Sequence, residues 1–232
     1  MSGSPSGPAG RARDRGRRRR AALVVSVLAF LSACSGGGAE AGGGGEDGAE
    51  LALCREVFGE ANVAAVRTLL TADGAPAESG SPDRIRTRMS QQARAWSAET
   101  DKLRRDGHDL CFLGAPGVGS RGWLAGRVTW STLTMDSVTT GPSAKDWRRA
   151  GDGVYVQRLK RQNGLAVLSP CRLTGTAKGQ ERLLPLEVSV TEEGLSATDP
   201  GLTGRSVSGL LAYTRELLDC QNTVAVPDEL TA

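Results

Sequence analysis

The chain of 232 residues is poor in the side chains that carry most enzymatic chemistry. It has one histidine (His108), one isoleucine (Ile85), three phenylalanines and two tyrosines, and aromatic residues make up only 4% of it. With a single histidine and no Cys-x-x-Cys spacing, the common zinc arrangements are excluded and no metal is expected. No Gly-x-Ser-x-Gly elbow, Ser-x-x-Lys pair or phosphate loop ending in Gly-Lys occurs, so the compact motifs of acyl and phosphoryl transfer are missing. After residue 34 no apolar run is long enough to cross a hydrocarbon layer of about 30 Å.

What is present is concentrated at the N-terminus. Arg17-Arg18-Arg19-Arg20 precede an apolar run, Ala21 to Ala33, and then Cys34. Thirteen residues rising about 1.5 Å each form about 20 Å of helix, which suits a signal peptide better than a permanent span. Leu31-Ser32-Ala33-Cys34 resembles the bacterial lipobox, in which the cysteine thiol receives a diacylglyceryl group and becomes the N-terminus after cleavage. The resemblance implies a signal peptide at 1–33, lipidation at Cys34 and a place on the extracytoplasmic face of the cell membrane. Two acyl chains are enough for stable anchoring. Arg19-Arg20-Ala21-Ala22-Leu23 also looks like a relaxed twin-arginine export signal.

Residues 1–33 hold seven of the 29 basic side chains and one of the 26 acidic ones. Residues 34–232 therefore carry 22 basic and 25 acidic groups, and the basic balance belongs to the leader. A nucleic-acid partner loses its electrostatic basis. Ser35 to Ala49 reads SGGGAEAGGGGEDGA, a composition that cannot offset its ordering entropy, so residues 34–50 are expected to be a tether reaching about 20 Å. Residues 51–232 are expected to form one extracytoplasmic domain.

Four cysteines remain: Cys54, Cys111, Cys171 and Cys220. An even number in an exported chain implies disulfides, and four cysteines allow three connectivities. An internal repeat bears on the choice. Aligning Cys111 with Cys171 without gaps sets Leu113 on Leu173, Gly119 on Gly179, Leu124 on Leu184 and Val128 on Val188. The repeat implies one bridge per half, Cys54–Cys111 and Cys171–Cys220.

Periodicity predicts three helices. Val63, Val66, Leu69 and Leu70 mark one that ends near Ala72-Asp73-Gly74. Ser81-Pro82-Asp83 starts a second, whose stripe of Ile85, Met89, Trp96 and Leu103 predicts a long helix stopped at Gly107. A third carries Val207, Leu210, Leu211, Leu217 and Leu218. Between them the period is two: Leu124, Val128 and Trp130 alternate with polar residues, as do Leu184, Leu186, Val188 and Val190. Gln162-Asn163-Gly164 is a hairpin turn between two further strands. The expected fold class is α+β, an antiparallel sheet with helices on one face, two disulfides and a pseudo-two-fold relation between halves.

The remaining candidates have bland uses. Gly117-x-Gly119-x-x-Gly122 spells a dinucleotide fingerprint but precedes a strand, so it reads as a connection and no cofactor is expected. His108 could serve as a general base but has no motif-level nucleophile beside it. Just past the expected helix end, it is expected to interact with the last carbonyls or with solvent, a favourable site for a cation. Trp96 and Trp130 are expected in the core, whereas polar neighbours make Trp147 a candidate for exposure. The arginines between Arg84 and Arg105 could touch anionic lipid, but Asp83, Glu99, Asp101 and Asp106 make a balanced solvated face the expected reading.

In layout the chain resembles the small lipoproteins of actinomycetes, a likeness that supplies no activity and no known protein or envelope ligand. The expected function is non-catalytic binding at the cell envelope. An envelope enzyme would show His108 and an acid in one deep cleft, and a solute receptor would show two lobes.

Overall fold

The computed structural model describes residues 46–70, 77–114 and 122–232. The leader, Cys34, most of the expected tether, Gly117, Gly119 and the turn at Ala72-Asp73-Gly74 lie outside the described residues.

The fold is α+β, built on one antiparallel seven-stranded sheet. Its strands are β1 (Ala77–Ser79), β2 (His108–Gly114), β3 (Trp123–Trp130), β4 (Arg148–Gly151), β5 (Val154–Arg158), β6 (Gly164–Ser169) and β7 (Leu186–Glu193), in spatial order β1-β2-β3-β7-β6-β5-β4. The alternation of β3 and β7 is that of a sheet with one apolar face. Leu124, Val128, Trp130, Leu186, Val188 and Val190 are buried, and the residues between them are less so. Asn163-Gly164 turns β5 into β6, with Gly164 at φ 159 against the carbonyl of Val190, where a Cβ would stand 2.2 Å away.

The apolar face is covered by α1 (Glu46–Phe58), α2 (Glu60–Leu69) and α6 (Leu202–Leu217). α1 begins inside the stretch expected to be tether. Gly59, at φ 89, turns the chain between α1 and α2. α6 crosses α1 closely because Gly209 lies under it: a Cβ there would meet the Val57 carbonyl oxygen at 3.0 Å. Phe58 sits over Gly126 of β3, with Leu210 also close to that glycine, and is fully buried.

α3 (Pro82–Ala95) starts where Ser81-Pro82-Asp83 predicts, but it stops at Ala95 and does not run on to Gly107. Trp96 is already extended, its indole donates to Asp101 Oδ1 at 2.8 Å, and Ser97 Oγ accepts from the Glu99 amide. A side chain bonding its neighbouring backbone competes with helix continuation. α3 is fixed to the sheet by Trp130, whose Nε1 donates to the Met89 carbonyl at 3.0 Å.

The other face of the sheet is partly covered. The short α4 (Met135–Thr139), capped by Thr134 Oγ1 accepting from the Ser137 amide, places Met135 and Val138 with Trp147 on Ala166 and Leu168. Trp147 is thus buried, against the expectation of exposure; its partners come from distant segments. A last single-turn helix, α5 (Gln180–Leu183), precedes β7.

Both disulfides have the expected connectivity, with Cα–Cα distances of 5.3 Å for Cys54–Cys111 and 5.0 Å for Cys171–Cys220. The first ties α1 to β2. The second ties the segment after β6 to the end of α6, beside the buried Arg215, whose guanidinium donates to Ser169 Oγ and to the Pro170 and Asn222 carbonyls.

The register also clarifies the internal repeat. Val128 and Val188, aligned in the sequence, are directly paired, so a local two-fold axis between them exchanges β3 with β7. β2 and β6 flank them symmetrically. The cysteines themselves are displaced: Cys111 pairs with Gly126, whereas the residue opposite Leu186 is Ser169, two positions before Cys171. The β2 bulge between Asp109 and Cys111 supplies one residue of that two-residue displacement.

Candidate functional site

A cleft opens between α3 and the β1–β2 edge of the sheet. Gly80 makes it possible: its amide donates to the Leu110 carbonyl, and a Cβ there would stand 2.3 Å from the Asp109 carbonyl oxygen. Only glycine lets the chain leave β1 and enter α3 this close to β2. The cavity has a volume of about 470 Å³, within the range of small-molecule sites.

One wall is α3, where Arg84 and Arg88 are one turn apart on the same side. The opposite wall brings Glu78 from β1 and Asp109 from β2. Ile85, Phe112 and Ala125 form an apolar floor. Glu78, Phe112 and Ala125 lie in one row across β1, β2 and β3, on the sheet face that α4 leaves open. Trp123 extends the floor, its ring centroid 5.9 Å from that of Phe112 at 22° between planes, and its Nε1 donates to Glu193 Oε2 at 2.8 Å.

His108 lines the same cleft, as the first residue of β2 rather than at a helix end. Burial, then the Arg88 cation, hold its imidazole below the usual 6.5. Because α3 ends at Ala95 and His108 opens β2, the expected place just past a helix end is overturned. Its Nε2 is buried without a hydrogen-bond partner among the described residues. No hydrogen bond joins it to Ser79, Ser81, Glu78 or Asp109 there, so the cleft holds an acid, a base and hydroxyls without the linked relay of nucleophilic catalysis.

The arginine face is mostly ion-paired: Arg86 with Asp83 at 2.7 Å, Arg105 with Asp101 at 2.7 Å, and Arg88 and Arg104 with Asp106 at 3.5 and 2.9 Å. Arg84 and Glu78, which share the cleft, have no ion-pair partner among the described residues. Sequence reading named His108 and the arginines but missed Glu78, Asp109 and Phe112. Ala75 to Gly80 reads in the sequence as a polar loop bearing glycine and proline, whereas Ala77–Ser79 forms β1, so nothing local marked Glu78 as part of a sheet edge.

On the sheet face that α4 partly covers, Glu187 is half-buried opposite Leu168, with Ser131 Oγ donating to it at 2.7 Å. Burial pushes its carboxyl above the usual 4.5, and the Ser131 bond opposes that only in part. The folded chain then binds the proton more tightly than the unfolded one. Stability from this group is present at low pH and lost as pH rises through the folded value. Glu187→Gln keeps an acceptor for Ser131 and is expected to raise the thermal midpoint at pH 7, with the gain vanishing near pH 4; equal midpoints at both values would refute it.

Among the described residues no group of His, Cys, Asp and Glu could hold a metal ion, and no helix is long and apolar enough to cross a membrane. No protein-family model, curated protein or solved structure matches the chain.

Proposed function

We propose that the chain is a lipid-anchored, extracytoplasmic binding protein of the cell membrane, without catalytic activity, and that its ligand enters the cleft between α3 and β2. The reading is carried by cysteine use. Two bridges account for four of the five cysteines, and the fifth, Cys34, stands in the lipobox-like Leu31-Ser32-Ala33-Cys34. The unlinked polar groups of the cleft favour binding over catalysis. Metabolic labelling with an alkyne fatty acid is expected to mark the parent chain and not Cys34→Ser, which accumulates with its leader uncleaved. A mature chain with a free thiol at Cys34 would overturn the anchor.

A second reading, an envelope enzyme, draws on one observation: His108 shares the cavity with Glu78 and Asp109. It requires turnover of an added substrate that His108→Ala abolishes.

A further inference from the structure

We propose that the cleft takes a zwitterionic ligand, a short peptide with free termini, its carboxylate on Arg84 and Arg88 and its ammonium on Glu78 and Asp109. This rests on the reading of the cleft as a binding site. The two walls carry opposite charge: α3 supplies the guanidinium groups of Arg84 and Arg88, and β1 and β2 supply the carboxylates of Glu78 and Asp109. Arg88 is also paired with Asp106 at 3.5 Å and Asp109 with Arg127 at 3.8 Å, which leaves Arg84 and Glu78 as the free pair among the described residues. Arg84 and Glu78 face the same cavity, yet they do not neutralise one another, since no contact within ion-pair distance joins them. A simple anion would gain from the arginines and be repelled by the acids, and a simple cation would meet the reverse. A dipolar ligand satisfies both walls.

The apolar floor of Ile85, Phe112 and Ala125 between the charged walls suits the aliphatic middle of such a ligand. His108 lines the same cavity, and burial and the Arg88 cation favour its neutral imidazole, which adds no charge to either wall. The opening of the cavity onto the uncovered sheet face lets a ligand reach it without unfolding of α3 or β2.

The test is calorimetric titration of the full chain, solubilised in detergent micelles, with trialanine, N-acetyl-trialanine, trialanine amide and inorganic phosphate. Trialanine is expected to bind, and blocking either end is expected to weaken binding at least tenfold. Arg84→Gln should remove the difference between trialanine and its amide, and Glu78→Gln the difference between trialanine and its acetylated form. Both side chains are exposed, so the variants are expected to fold, which circular dichroism checks. No heat with trialanine at millimolar concentration, equal affinity for the blocked peptides, or phosphate binding as tightly as trialanine would each overturn the proposal. Recovering the peptide by mass separates the two readings. Trialanine that binds and is cleaved overturns the non-catalytic function but leaves zwitterion recognition standing, while absence of binding leaves lipid attachment at Cys34 untouched.

Discussion

Serine at both Cys171 and Cys220 is expected to lower the unfolding free energy by about 4 kcal/mol, the entropy of opening a loop of this length. The bridge closes 49 residues of chain, and Cys54–Cys111 closes 57, so the two effects should be nearly equal. Against a typical stability of about 5–15 kcal/mol, loss of both would leave little or no folded domain. Urea unfolding of the oxidised parent and of the Cys171→Ser/Cys220→Ser pair measures the difference. Coincident midpoints would show that the segment after β6 is held without the bridge, by Arg215 and its carbonyl partners alone.

The second large effect is expected at Phe58. Its ring fills the space over Gly126, where an added Cβ would stand 2.8 Å from Cε1, and it is fully buried. Phe58→Ala should cost about 3–5 kcal/mol, a lost ring plus the cavity it leaves. Gly126→Val in the parent should cost about 1–3 kcal/mol by forcing the ring off β3. In the double variant the valine methyls enter the vacated volume, so the total should fall short of the sum. Denaturant midpoints of the four proteins give the coupling, and strictly additive losses would refute the contact.

These two sites differ in how visible they were beforehand. The bridges followed from an even count of cysteines and from a repeat whose strands do lie about a two-fold axis, at Val128 and Val188. β3, β7 and the β5–β6 hairpin were legible because alternation and Asn-Gly are local signals. Phe58 over Gly126 joins residues far apart in the chain, and no period of 2 or 3.6 reports such a contact. The same blindness misplaced Trp147, which polar neighbours surround in sequence but Met135, Val138 and Leu168 surround in space. The α3 boundary was missed because no glycine or proline marks it; Trp96 and Ser97 end the helix through bonds to Asp101 and Glu99. Of the cleft, His108 and the arginines were visible as unusual residues. Their convergence with Glu78 and Asp109 depends on the pairing of β1 with β2, a long-range event across α3.

The order of the sulfur linkages has a consequence for biogenesis. Each joins cysteines that are neighbours along the chain, 54 to 111 and then 171 to 220, with no crossing between them. If Cys34 is taken by lipid as proposed, a polypeptide threaded N-terminus first presents Cys54 and Cys111 before Cys171 and Cys220 emerge. Oxidation in order of appearance then yields the native linkage without thiol shuffling by an isomerase.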